Sequence, residues 1–163
     1  MKKTRLLVLT AMFAALSVIG SFIKIPVPPG TPALDSVPAF ISIAFIPAPL
    51  ASAAGALGHM ATALSSGFPL TLPFHIFIAL EMAVVVGVAA IIYRKGMKKL
   101  AWAWIILSNG VLSPLPFYFL LSPAMYFAVA PGILVATLIN VVVGLILLPL
   151  LKKAFVRTGV EVS

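Results

Sequence analysis

A chain of 163 residues that is 63% hydrophobic and 9% charged, with mean hydropathy +1.23, is too apolar for an ordinary soluble domain. Its net charge of +8 does not gather on one solvated face, as a nucleic-acid surface would, but punctuates long apolar runs, which excludes nucleic acid as a partner. It has no cysteine, and so no disulfide framework, thiolate nucleophile or zinc-thiolate site.

Lys2, Lys3 and Arg5 open the chain, and residues 6–23 form the first apolar run. This run exceeds the ~7–15-residue apolar region of a signal peptide, and no A-x-A site follows, so it reads as a first transmembrane helix. Residues 37–66 would make one helix of ~45 Å, longer than a bilayer core. Pro47-Ala48-Pro49 is the natural turn inside it, which predicts two short crossings of ~15 residues each, or a re-entrant hairpin. Residues 74–93 form the next span, closed by Arg94, Lys95, Lys98 and Lys99. Residues 100–121 and 126–151 follow, and Lys152, Lys153 and Arg157 close the last.

Basic flanks stay on the cytoplasmic side. Three basic clusters on one face require an even number of crossings between each pair. The expectation is one all-α membrane domain over residues 1–163, a six-transmembrane-helix bundle with short second and third helices, both termini cytoplasmic, in the plasma membrane. Residues 24–38, 65–73 and 122–124 then lie on the outer face.

Small residues recur every four positions, as in Ala11 and Ala15, Ala54 and Gly58, Ala79, Ala83 and Gly87, and Gly132 and Ala136. Such rows let helices approach closely in lipid. They serve packing within the bundle or docking of another membrane protein, and periodicity does not separate the two.

A few polar groups inside the spans are costly enough to need a reason. Glu81 is an ionisable group at membrane depth, which marks either a functional site or a carboxylate paired with His59 or His75. His59, Asn109 and Asn140 fall at similar depth on other helices, Asn140 being equally suited to bond a neighbouring helix. His75 and Asp35 belong nearer the outer face, Asp35 in a turn or as N-cap of the second helix. No H-E-x-x-H spacing supports a metal. No phosphate loop, G-x-S-x-G elbow or acidic cluster supports ATP hydrolysis or intramembrane catalysis, so the chain reads as a non-enzyme without a cofactor.

Three stretches carry a resemblance over nearly the whole chain. They are Leu9-Thr10-Ala11-Met12-Phe13-Ala14-Ala15-Leu16-Ser17, then Lys24-Ile25-Pro26-Val27-Pro28 leading to Leu34-Asp35-Ser36-Val37-Pro38-Ala39-Phe40, then Gly55-Ala56-Leu57-Gly58-His59 with Ser66-Gly67-Phe68-Pro69-Leu70-Thr71-Leu72-Pro73. In these the chain resembles a substrate-binding S component of an energy-coupling factor (ECF) vitamin transporter. The resemblance implies capture of a vitamin or precursor, while a membrane scaffold and two cytoplasmic ATPase subunits supply energy. It places Ala11 and Ala15 against the scaffold, with Ile19 standing where a third small residue would continue the row. It also implies a first outer loop that closes over substrate. Among subfamilies it most resembles the α-ribazole transporters of cobalamin salvage.

The expected substrate-binding set is Asp35, His59, Phe68, Phe74, His75, Glu81, Asn109, Tyr126 and Asn140. Phe68, Phe74 and Tyr126 would stack on a benzimidazole, and the polar groups would bind ribose hydroxyls and a ring nitrogen. The competing readings are a stand-alone carrier in which Glu81 or His59 takes up a proton, and a structural membrane subunit without ligand.

Overall fold

The computed structural model describes residues 2–24, 33–68 and 70–157, and every regular element among them is helical. These are α1 (Lys3–Ser21), α2 (Val37–Ser42), α3 (Ala48–Ser65), α4 (Leu72–Arg94), α5 (Lys98–Leu107), a π-helical turn (Ser108–Leu112), α6 (Leu115–Leu120) and α7 (Pro123–Arg157). Four stretches are long and apolar enough to cross a membrane: Lys3–Ser21, Leu72–Arg94, Lys98–Leu120 and Pro123–Arg157.

Proline sets the helix starts. Pro38, Pro49, Pro73 and Pro116 sit in the first turns of α2, α3, α4 and α6, where a missing N–H costs nothing. This explains two departures from expectation. Pro47 is the N-cap of α3 and Pro49 lies inside its first turn, so the third helix is not short but runs 18 residues. The second is only 6 residues long, followed by a turn through Ile46. The expected fifth helix is interrupted. Pro114 cannot donate to the carbonyl four residues back, and the Ser113 N–H instead reaches the Ser108 carbonyl at 2.8 Å. The last helix, at 35 residues, is ~52 Å long by its rise and exceeds a bilayer core.

The core is built around α2. Phe40, Ile43, Ala44, Phe45 and Ile46 are completely buried, which suits a segment apolar on every face. Phe45 packs between Phe13 of α1, 5.9 Å away, and Phe155 of α7, 4.8 Å away. The small-residue rows mostly serve internal packing. A Cβ on Gly58 would meet the Ser17 side chain at 2.8 Å, and one on Gly55 would meet Val86 at 2.9 Å. Ala11 and Ala15, by contrast, face outward on α1.

The charge pattern has a structural counterpart. Lys98 and Lys152 lie 5.5 and 5.3 Å from the centre of the same Tyr93 ring, so the second and third basic clusters share one end of the bundle. The other end is where α1 meets the returning chain. The Leu34 N–H bonds the Gly20 carbonyl at 3.1 Å, and the Leu34 backbone passes so close that Gly20 has no room for a Cβ. Residues 25–32, most of the expected outer loop, lie outside the described residues.

Candidate functional site

Asn140 is 2% exposed in the middle of α7. Its amide nitrogen donates to the carbonyls of Ala33 and Ala136, each at 2.8 Å, and its oxygen accepts the Ser36 N–H at 3.2 Å. It therefore fastens the segment before α2 onto α7. Asp35 lies in that segment but is not the N-cap of α2. Ser36 holds that position, and its side chain makes no capping bond. Burial raises the Asp35 carboxyl above the usual carboxylate range, against the opposing pull of backbone N–H groups, Lys24 and the Ser36 hydroxyl.

The π-helical turn puts Asn109 opposite α7, where its amide donates to the Thr137 hydroxyl at 2.7 Å. That hydroxyl donates in turn to the Ile133 carbonyl at 2.8 Å. Ser113, four residues after Asn109, returns a bond to the Asn109 carbonyl at 2.8 Å. On the facing pair of helices, His59 Nε2 of α3 lies 3.2 Å from His75 Nδ1 of α4, so one ring donates and the other accepts. The histidines thus pair with each other. Glu81, two turns beyond His75 on α4, has a buried Oε2 with no hydrogen-bond partner among the described residues.

These elements enclose a cavity of about 210 Å³ whose walls include Asp35, Ser36, His59, Glu81, Asn109, Ser113, Thr137 and Asn140, with Phe117 and Met82 among the apolar members. α3, α4, the π-helical turn, α6, α7 and the segment before α2 contribute. Larger hollows exist, such as one of about 350 Å³ between α4 and α5, but its walls are mainly outward-facing apolar residues such as Leu80 and Val84. Glu81 and Ser113 border both hollows and partition them.

Four helices long and apolar enough to cross a membrane, with ionisable and amide side chains gathered on one cavity, have the form of a membrane solute-binding protein. A family model, ECF transporter, substrate-specific component, matches residues 5–158. The chain belongs to this family. No curated protein matches it. Membership makes it a substrate-specific subunit of an ECF transporter, a multi-pass membrane protein that works with scaffold and ATPase subunits on a small-molecule substrate.

Of the residues singled out from this S component's sequence, Asp35, His59, Glu81, Asn109 and Asn140 line the cavity. Four do not. His75 stands behind His59, buried, with its Nε2 unpartnered among the described residues. Phe68 packs on His75, ring centres 5.6 Å apart, from a turn in which Gly67 and Phe68 take φ +73° and +50°. Phe74 meets Phe117 edge-on at 4.9 Å, so Phe117 is the aromatic that reaches the cavity. Tyr126 packs on Tyr118 and Phe127 at the corner between α6 and α7. The residues missed were signalled by helical spacing. Thr137 is three before Asn140, and Ser113 and Phe117 are four and eight after Asn109, all on the same helix faces.

Proposed function

We propose that this S component binds a small, water-soluble, hydroxyl-bearing vitamin precursor in the cavity between Asp35, His59, Glu81, Asn109 and Asn140, with α-ribazole of cobalamin salvage as the substrate. The observation that carries the reading is the convergence of ionisable and amide side chains from separate helices on one hollow at membrane depth. A volume of about 210 Å³ lies below the ~300–1,000 Å³ usual for ligand pockets, which favours a compact precursor over a whole cofactor. Phe117, backed by Phe74, offers a flat ring a face or edge to pack on. Carboxylates accepting hydroxyl hydrogen bonds anchor a ribose strongly where water is excluded.

The same reading takes the chain as six crossings with both ends cytoplasmic. What supports it is the sharing of Tyr93 by Lys98 and Lys152, and the path through α2, which carries the chain from the level of Asn140 to that of Phe155. The absence of cysteine makes labelling clean. A single cysteine at Ser66 reacts with an impermeant thiol reagent from outside whole cells, and one at Lys95 does not.

Uptake of labelled α-ribazole by cells carrying this chain with the scaffold and ATPases, and its loss when ATP is depleted, tests the function. Transport by the chain alone in liposomes, driven by a pH gradient, would establish a secondary carrier instead.

A further inference from the structure

The cavity's hydrogen-bond inventory is lopsided. Both amide hydrogens of Asn140 are committed to the carbonyls of Ala33 and Ala136. The Thr137 hydroxyl donates to Ile133, the Ser113 hydroxyl to Asn109, and the Ser36 hydroxyl lies 3.4 Å from Asp35 Oδ1. The Asn109 amide spends a hydrogen on Thr137. Among the described residues little donor capacity is left: a second hydrogen on Asn109 and one ring nitrogen of His59, whose other nitrogen is tied to His75.

Acceptor capacity is left in quantity. Each ionised carboxylate offers about four lone-pair sites, and the Glu81 Oε2 is buried with none filled by the described residues. Asp35 and Glu81 are the chain's only acids apart from Glu161, and both line this one cavity. Among the described residues no lysine or arginine lines it. Lys24, which acts on the Asp35 carboxyl, is exposed.

We propose that this cavity is an acceptor-rich receptor that takes a neutral or cationic solute bearing several hydroxyl or amine donors, and rejects the phosphorylated or carboxylated forms of the same solute. The inference rests on the cavity being the substrate site, and it concerns the charge of the substrate rather than its name. Hydroxyl or ammonium hydrogens fill the vacant Oε2 of Glu81 and add to the bonds that the Asp35 carboxyl already accepts from Ser36. A phosphate brings more acceptors and negative charge to a pocket with two carboxyls and almost no free donor, and like-charge juxtaposition of that kind costs affinity steeply.

The test uses the full chain in lipid nanodiscs and titration calorimetry with three matched pairs: α-ribazole and its 5′-phosphate, thiamine and thiamine monophosphate, riboflavin and flavin mononucleotide. In any pair that binds, the unphosphorylated member is expected to bind about a hundredfold tighter or more. A phosphomonoester within about tenfold of its parent overturns the inference. Silence of α-ribazole with binding of another unphosphorylated member sinks the α-ribazole assignment and supports the charge rule. Where no pair binds, mass spectrometry of the small molecule retained on purification decides: a neutral or cationic compound supports the rule, and a phosphate or carboxylate overturns it. A protein that binds none of the six and retains nothing refutes both readings.

Discussion

Asn140 accepts the backbone N–H of Ser36 at 3.2 Å, which joins the middle of the last helix to a segment 104 residues earlier in the chain. With its two donated bonds it positions one wall of the cavity without a free hydrogen to spend on ligand. Asn140→Leu removes all three bonds and leaves the Ser36 N–H and Ala33 carbonyl unpaired, at about 1–3 kcal/mol for each group that stays buried. Thermal melting should show a large loss of stability and, because Asp35 is released, loss of ligand binding. Val142→Ala, on an exposed position of the same helix, should change neither.

Glu81→Gln keeps the shape of the side chain and removes the charge. Losing a charge-assisted hydrogen bond to substrate should cost roughly 1.5–3 kcal/mol, about ten- to a hundredfold in affinity. Stability should not fall, because the two histidines pair with each other and the buried Oε2 has no partner among the described residues to lose. Calorimetry and melting of both proteins check this. Wild-type affinity in the Gln variant would remove Glu81 from the site.

Ala11 and Ala15 are exposed on α1, so bulk there projects away from the buried core of the described residues. Ala11→Trp and Ala15→Trp should leave ligand affinity unchanged and abolish uptake, since a large side chain blocks close helix approach by a partner. Binding assays on the isolated subunit beside transport assays of the assembled complex separate the two effects. Loss of binding in either variant would sink the docking role.

Asp35 carries a pH signature. Its folded-state pKa is raised above the ordinary 3.8 by burial, so the folded protein holds this proton more firmly than the unfolded chain. Stability contributed by the group is therefore greatest at low pH and declines as pH rises from about 3.8 through the raised value. Asp35→Asn should flatten that slope and raise the melting temperature at pH 7, while weakening ligand binding. Melting curves from pH 4 to 7 read the difference. An identical slope in both proteins would rule out Asp35 as its source.

Composition and charge placement were enough to establish a helical membrane protein. Long apolar runs have no other stable form in lipid, and lysine and arginine sort to one face whatever the packing. The same reasoning marked His59, Glu81, Asn109 and Asn140, because a polar side chain at membrane depth is conspicuous against its neighbours, whereas Asp35 was expected nearer the outer face. Helix bounds near proline were legible only in part. Pro47 and Pro49 announce a break, but whether they end one helix or begin the next depends on which residues the turn can bury, and α2 with Phe45 fills the centre.

Tertiary structure alone decided who faces the hollow. Phe68, Phe74 and Tyr126 are as aromatic as Phe117, yet they pack on His75, Phe117 and Tyr118, and only Phe117 reaches the cavity. It also decided which polar groups remain free. That Asn140 spends its amide hydrogens on the carbonyls of Ala33 and Ala136 and accepts the Ser36 N–H, while Glu81 keeps an oxygen unpartnered among the described residues, depends on how distant parts of the chain meet. Composition records each donor and acceptor, but only the folded geometry determines which have already found one another.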